Sequence, residues 1–452
     1  MGNVVDGDRT DCGVRFRLFP KPPYAHPDWA PETIQVSSLP GAIGPGPTDA
    51  RMYLINPIGK RQPYGVNTGP YRTPHLTFPP WTGPHHPPVF PDAQGHFDHI
   101  PLDAPEFAEA HVFGSVRFVL DIWERYLGRP IGWHFERDFD RLEILLLPSF
   151  DNAHVGYGFM EVGAHHRPDG TLATYALNFD VIAHEFGHLI IYGTLGVPSR
   201  GAEEGEYFGF QEAAADMTAM IAALHFQSLR EQLLEEAHGN LYAYNELNRF
   251  AELGPNEQIR MASNSIKLSD FAAGWTDEHA LSQPLSGAIF DVFVDIFQEI
   301  LVEAGIIPSA IAEMSRLIET SPEYAPQVQS VFDAAFAHDR ASFFAALVDA
   351  RDYLGFALAA TWKNLSADFF SYTEVGQVLL EVDRVMSGGQ YSRAIVESFT
   401  WREIGTVKVG ARLSPPAKHS HAFSSRTITP EMRRGMPRMC YHEKLMIARG
   451  EG

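Results

Sequence analysis

After about residue 105, apolar residues recur at the spacing that is typical of helices. Residues 107–128 (FAEAHVFGSVRFVLDIWERYLG) predict an amphipathic helix that ends at Gly128. The mostly apolar residues 142–147, which include Glu143, predict a buried strand, and residues 152–163 predict an edge strand that enters a turn. The pattern therefore indicates that helices and strands alternate in this part of the chain.

Two further helices are predicted on either side of a glycine-rich stretch. Residues 180–192 carry the first, residues 193–209 are predicted to be a loop, and residues 210–227 carry the second. Beyond residue 229 the hydrophobic pattern is mostly helical. We therefore expect an α+β chain in which strands and helices are followed by a mostly helical part.

The first hundred residues have a different character from the rest. They hold 18 of the 33 prolines, and proline prevents regular helix because it removes a backbone donor. Short β-rich pieces lie between the prolines, at residues 33–37 and 51–55. Residues 1–104 are therefore predicted to be a Pro-rich β and loop segment that wraps another domain.

Charge and hydropathy exclude some classes of protein. A formal charge of −21 argues against a nucleic acid as partner. The sequence contains no run of about 18 apolar residues, so no membrane-spanning helix is predicted. The N-terminus lacks a secretory pattern, so we expect a cytoplasmic protein. The last 40 residues are basic and predict a solvated tail. Oligomeric state stays open.

The strongest chemical signal is the sequence His184-Glu185-Phe186-Gly187-His188. On a helix, residues four apart share a face, so both imidazoles can bind one zinc ion. Glu185 lies beside them and can take a proton from a zinc-bound water without being a ligand. The alternative without a metal ion is a helix with two hydrogen-bonded histidines.

The next helix offers the third ligand that such a site needs. Glu212 can complete a set of two histidines and one glutamate, and Asp216 follows one turn later on the same face. Asp216 can accept the second ring N–H of a histidine ligand and so orient it. We therefore expect one zinc ion per chain, although a solvated helix face would also explain the two acidic residues.

These motifs resemble the thermolysin-like zinc metallopeptidases, a gluzincin family, over roughly residues 107–297. The resemblance implies that Asn152 and Ala153, at the start of the edge strand, bind substrate backbone. It also implies that His279, which starts HALSQPLSGAIFD, stabilises the oxyanion, and that Arg260 contacts a substrate carbonyl. The oxyanion-assisting tyrosine of the family has no fixed match, and Tyr192 and Tyr207 are weak candidates.

The same resemblance implies a two-lobed zincin core and a peptide or protein substrate. The expected division is 1–104 for the N-terminal segment, 105–205 for the α/β lobe, 206–400 for the helical lobe, and 401–452 for a C-terminal extension. Calcium is not expected, because residues 217–230 lack the acidic residues that bind it in the family.

Two alternatives remain beside a zinc-dependent endopeptidase. One is a gluzincin-type aminopeptidase, since residues 158–162 (GFMEV) partly match a motif whose glutamate, here Glu161, captures the substrate amine; Val162 replaces the expected asparagine. The other is a zinc-stabilised binding or scaffold protein with little turnover. Retention of Glu185 argues against the second, because a purely structural site needs no base.

Overall fold

The structure is a computed structural model that describes residues 13–68, 74–167, 170–242, 247, 249–254, 257–318 and 320–405. It contains both helices and sheets, so the prediction of an α+β fold is confirmed. The described residues divide into two compact units. We call residues 13–200 with 251–259 the N-terminal unit, and residues 201–250 with 260–405 the helical unit.

The strands are short. They are β1 (Val14–Leu18), β2 (Glu32–Val36), β3 (Met52–Ile55), β4 (Gly65–Thr68), β5 (Pro74–Thr77), β6 (Leu142–Leu146), β7 (Ala153–Gly156), β8 (Phe159–Val162), β9 (Ala164–His166), β10 (Leu172–Thr174), β11 (Arg249–Gly254) and β12 (Glu257–Met261).

The helices are longer, and beyond residue 226 they account for most of the residues that the structure describes. They are α1 (Glu106–Leu127), α2 (Phe179–Thr194), α3 (Gly205–Ala223), α4 (Gln227–Ala237), α5 (Glu278–Glu303), α6 (Ser309–Arg316), α7 (Ala325–His338), α8 (Arg340–Asn364), α9 (Tyr372–Ser387) and α10 (Ser392–Trp401). No helix among the described residues is long and apolar enough to cross a membrane.

The N-terminal unit is built on a four-stranded sheet in the order β3-β6-β8-β7. β3, β6 and β8 run parallel, and β7 returns antiparallel to β8. β7 is the last strand on its side among the described strands, which confirms the predicted edge strand. Every residue of β6 is buried, as its mostly apolar sequence predicts, and this includes Glu143.

Two helices accompany this sheet. α1 packs against α2 and also contacts β1 and β2. It ends at Gly128, whose φ of 67° is the left-handed conformation that glycine adopts without steric cost. α2 begins where the side chain of Asn178 accepts a hydrogen bond from the amide of Val181 at 3.2 Å. α2 packs against β7 and β8.

The helical unit is organised around α5. α3 packs along α5, which also contacts α8 and α10, and α8 packs against α9. Arg402, directly after α10, is buried and binds Asp291 of α5 at 2.8 Å. This ion pair attaches the end of α10 to the central helix.

One sequence-based prediction in this region was wrong. α3 begins at Gly205, five residues before the predicted start, so part of the predicted glycine-rich loop is helical. β11 and β12 form a two-stranded sheet within a part of the chain that was expected to be mostly helical. The four-part domain division stays a prediction, and the basic tail lies outside the described residues.

Candidate metal centre

α2 presents the two histidines of the motif one turn apart. The ring centroids of His184 and His188 lie 4.9 Å apart, with the ring planes at 88°. The apolar side chains of α2, such as Phe186 and Leu189, are completely buried, so packing fixes the orientation of the helix in its unit. Glu185, between the histidines, is partly exposed.

The start of α2 is held by polar groups of the first hundred residues. Lys21 Nζ lies 2.9 Å from Asp180 Oδ2, and both side chains are buried. The side-chain amide of Asn178 donates to the hydroxyl of Tyr24 at 3.0 Å. A carboxylate in the first turn also interacts favourably with the helix dipole. These contacts therefore stabilise the helix that carries the histidines.

α3 carries Glu212 and Asp216 on one face. Glu212 is 8% exposed and Asp216 is 3% exposed, in a helix whose other buried residues are mostly apolar. Burying carboxylates costs free energy unless positive charge or hydrogen-bond donors compensate them. This face of α3 is therefore suited to bind a cation.

One ligand atom of each of His184, His188 and Glu212 lies within 4.8 Å of the others. Among the described residues, this is the group of histidine, cysteine or acidic side chains that could hold a metal ion. The donor set is two imidazole nitrogens and one carboxylate oxygen, which suits zinc and several other divalent metals.

His279 lies in the first turn of α5 and contacts this centre from within the helical unit. Its Nε2 is 3.2 Å from Glu212 Oε2, and its Nδ1 is 2.9 Å from Asp277 Oδ1. Asp277 is also the N-cap of α5, because its side chain accepts from the amide of His279 at 3.0 Å. No sequence pattern indicated the contact of His279 with Glu212.

His279 and Glu212 shift the pKa values of the acidic residues near them. The hydrogen bond from His279 holds the pKa of Asp277 below its ordinary value. Burial raises the pKa of Glu278, and the negative charge of Glu212 raises it further. Acidic groups therefore gather at the start of α5, where their field favours a cation.

The remaining predicted residues are placed as follows. Asn152 is exposed directly before β7, and Ala153 is the buried first residue of that strand. Arg260 lies in β12, and its side chain is outside what the structure describes. Tyr192 and Tyr207 are both buried. The roles proposed for all of them stay predictions.

The structure also identifies Tyr372, which the sequence did not single out. It is completely buried at the start of α9, and its hydroxyl donates to the carbonyl of Leu281 at 2.9 Å. Burial and then the charges of Glu206 and Glu212 raise its pKa well above the ordinary value. No sequence pattern links residue 372 to residue 212, so only the tertiary structure shows that the charge of Glu212 acts on Tyr372.

The glutamate of the aminopeptidase-like motif has a different environment. Glu161 is completely buried in β8, where Lys60 Nζ lies 2.9 Å from Oε1. The amide of Tyr64 donates to Oε2 at 2.7 Å, and His154 Nε2 lies 2.7 Å from the same oxygen. The carboxylate is thus enclosed by groups of its own unit.

Comparison with known proteins adds distant structural similarity. No family model and no curated protein matches the sequence. A solved structure, the precursor of protealysin, a metalloproteinase from Serratia proteamaculans, is similar with a TM-score of 0.40 and 10% identity. The similarity covers 72% of this chain and 83% of that one. A similarity of this size assigns neither fold nor function.

Proposed function

We propose that this chain is a zinc-dependent endopeptidase. His184, His188 and Glu212 would hold the ion, and Glu185 would be the general base. The observation that carries the proposal is the approach of the three ligand atoms to within 4.8 Å, with a glutamate directly after the first histidine. Three protein ligands leave a coordination position for water, as in catalytic zinc sites.

The donor set fits zinc in its chemistry and its surroundings. Imidazole nitrogens and a carboxylate are common zinc ligands. Glu212 and Asp216 are both buried, and a divalent cation would offset the cost of burying their charge. Asp216 stays the predicted partner for a ring N–H of a histidine ligand.

When bound, zinc supplies a Lewis acid that lowers the pKa of a water ligand to about 7. Glu185 would accept a proton from the attacking water and later donate it to the leaving amine. His279 would donate a hydrogen bond to the oxygen that becomes negatively charged. Asn152 and Ala153, at the start of the edge strand β7, would hold an extended peptide by adding it to the sheet.

The environment of Glu161 favours an endopeptidase over an aminopeptidase. A carboxylate that binds a substrate amine must be accessible to the substrate, and its negative charge must not already be neutralised by the protein. Glu161 is completely buried, and Lys60 neutralises it at 2.9 Å. We therefore expect a blocked N-terminus to have little effect on cleavage of a peptide.

The test combines metal analysis with cleavage of casein and of peptides with free and blocked N-termini. We expect about one zinc ion per wild-type chain and loss of zinc and turnover in Glu212→Ala. Glu185→Gln should keep zinc and lose at least ~10²-fold in turnover, because only the base is removed. Glu235→Gln, on the exposed face of α4, is the matched control and should behave as wild type.

Three outcomes would contradict the proposal. A zinc-loaded chain that cleaves neither casein nor peptides would favour the scaffold alternative. Cleavage that requires a free N-terminus would favour the aminopeptidase. Normal turnover in Glu185→Gln would remove Glu185 from the mechanism.

A further inference from the structure

Three side chains of the helical unit form a continuous line that ends on the proposed metal ligand. Asp277 Oδ1 lies 2.9 Å from His279 Nδ1, and His279 Nε2 lies 3.2 Å from Glu212 Oε2. Asp277 and His279 both belong to the start of α5, whereas Glu212 belongs to α3. The line therefore connects the two helices that pack together in this unit.

The direction of the hydrogen bonds follows from the chemistry of the end groups. An ionised carboxylate only accepts hydrogen bonds, so a ring nitrogen of His279 that carries a proton donates to the carboxylate it faces. The backbone amide of His279 also donates to Asp277 Oδ1 at 3.0 Å, which fixes Asp277 at the helix start. His279 is thus held at one ring nitrogen while the other reaches Glu212.

We propose that His279, supported by Asp277, orients the carboxylate of Glu212 for metal binding. This makes His279 a positioning residue for the metal ligand. The inference rests on the proposed function, since it takes Glu212 to be a ligand. His279 would contact Glu212 in the substrate-free chain, and the same Nε2 would turn to the oxyanion only during the reaction.

A physical reason connects this contact with metal affinity. A glutamate side chain has three rotatable bonds, and holding it in one orientation costs conformational entropy. A hydrogen bond to one carboxylate oxygen restricts that rotation before the ion arrives, so less entropy is lost on binding. Removing partners that orient a metal ligand lowers metal affinity by about 10–100-fold.

The two roles of His279 predict different measurements. An oxyanion donor alone would affect turnover and leave the dissociation constant of zinc unchanged. A residue that orients Glu212 would raise the dissociation constant even when no substrate is present. Zinc affinity of the full chain, measured without substrate, therefore separates the two roles.

The experiment titrates Zn²⁺ into metal-free protein in competition with a colorimetric chelator. The variants are His279→Ala, His279→Gln and Asp277→Asn. Gln keeps an N–H donor near the position of Nε2, and Asn keeps the N-cap of α5. The matched control is His238→Ala, because His238 also forms an exposed pair with an aspartate, Asp333, at 2.8 Å in the same unit.

We expect His279→Ala to raise the dissociation constant about 10–100-fold. His279→Gln should restore most of the affinity, Asp277→Asn should show a smaller loss, and His238→Ala should bind as wild type. Because the side chain of His279 is 49% exposed, the melting temperature of metal-free His279→Ala should match that of wild type.

Zinc affinity of His279→Ala within about threefold of wild type would overturn the inference and leave the proposed function intact. If wild type binds zinc but cleaves nothing, the proposed function fails while the affinity series still decides the role of His279. If wild type does not bind zinc, both fail. An equal loss of affinity in His238→Ala would also overturn the inference, because the effect would not depend on Glu212.

Discussion

Identical carboxyl groups behave differently in this chain because their surroundings differ. The pKa of Asp277 is lowered by its hydrogen bond with His279. Burial raises the pKa of Glu109 in α1 to about 7, although the side-chain amide of Asn56 donates to it at 2.9 Å. The nearby charge of Glu106 raises the pKa of Glu109 further. Glu109 therefore changes charge close to neutral pH. In sequence it is far from the proposed metal ligands.

This shift predicts a pH dependence of stability that Glu109→Gln should remove. The folded state keeps the proton up to about pH 7, whereas the ordinary pKa is 4.5. Between those values the folded state binds more protons than the unfolded state, so stability falls as pH rises. At pH 8, Glu109→Gln should be more stable than wild type by about 1–3 kcal/mol.

Urea denaturation at pH 5, 7 and 8 would measure the effect. Gln keeps an oxygen that can accept from Asn56, so the variant removes the charge alone. Glu235→Gln, at an exposed position of α4, is the control for the chemistry of the substitution. An identical slope in wild type and Glu109→Gln would show that Glu109 ionises normally.

At the scale of elements, close packing explains why α3 begins earlier than its sequence predicts. Gly205 and Gly209 predict a loop in this segment, because glycine usually weakens helices. In the fold, a Cβ at Gly205 would lie 2.6 Å from Trp275 Nε1, and a Cβ at Gly209 would lie 2.1 Å from the hydroxyl of Tyr372. Glycine is needed here because other parts of the unit approach the helix closely.

Gly209→Ala should therefore destabilise the protein, although alanine favours helix by about 1 kcal/mol in isolation. Overpacking costs about 1–3 kcal/mol, and the nearest neighbour is the hydroxyl of Tyr372. Tyr372→Phe removes that hydroxyl, so the double variant should be more stable than the sum of the single effects predicts.

Thermal and urea unfolding of the two single variants and the double variant would provide the coupling free energy. Gly132→Ala serves as the control, because the nearest atom to a Cβ there is Glu136 Oε2 at 3.7 Å. Additive effects of Gly209→Ala and Tyr372→Phe would contradict the proposed steric conflict.

At the scale of the whole molecule, the described residues among the first hundred are part of the folded N-terminal unit. β3 lies in the four-stranded sheet, pairing with β6. Phe16 of β1 stacks on Phe97 with ring centroids 5.0 Å apart and contacts Phe113 of α1. Lys21 pairs with Asp180 at the start of the histidine-bearing helix. The expected segment that wraps another domain therefore supplies a strand and core side chains to that domain.

We accordingly predict that Lys21→Met lowers the free energy of unfolding by about 3–5 kcal/mol, because it leaves the buried charge of Asp180 without its cation. Arg384→Met removes an exposed ion pair with Glu381 and should lower it by at most ~1 kcal/mol. Urea unfolding would measure both changes.

A chain that starts near residue 100 lacks β3 and should not fold. Circular dichroism and urea unfolding would test this, and a cooperative transition in the shortened chain would contradict the prediction.

Local chemistry was the part of this protein that the sequence could predict. The helix that bears His184 and His188, the buried strand β6 and the edge position of β7 all follow from patterns within about twenty residues. Glu212 was identified because a zinc site needs a third ligand, and its carboxylate lies in the group that could hold a metal ion. The identity of the metal, the expected absence of calcium and the cytoplasmic location stay predictions.

The sequence by itself determined which residues have the types and the helical spacing that a metal site requires, because that spacing depends only on local backbone geometry. Only the tertiary structure decided that Gly205 and Gly209 are helical, that Lys60 neutralises Glu161, and that His279 contacts Glu212. Each of these facts depends on residues more than sixty positions apart in sequence. Such contacts arise from packing between elements, and neither hydrophobic periodicity nor local motifs carry information about which distant side chains meet.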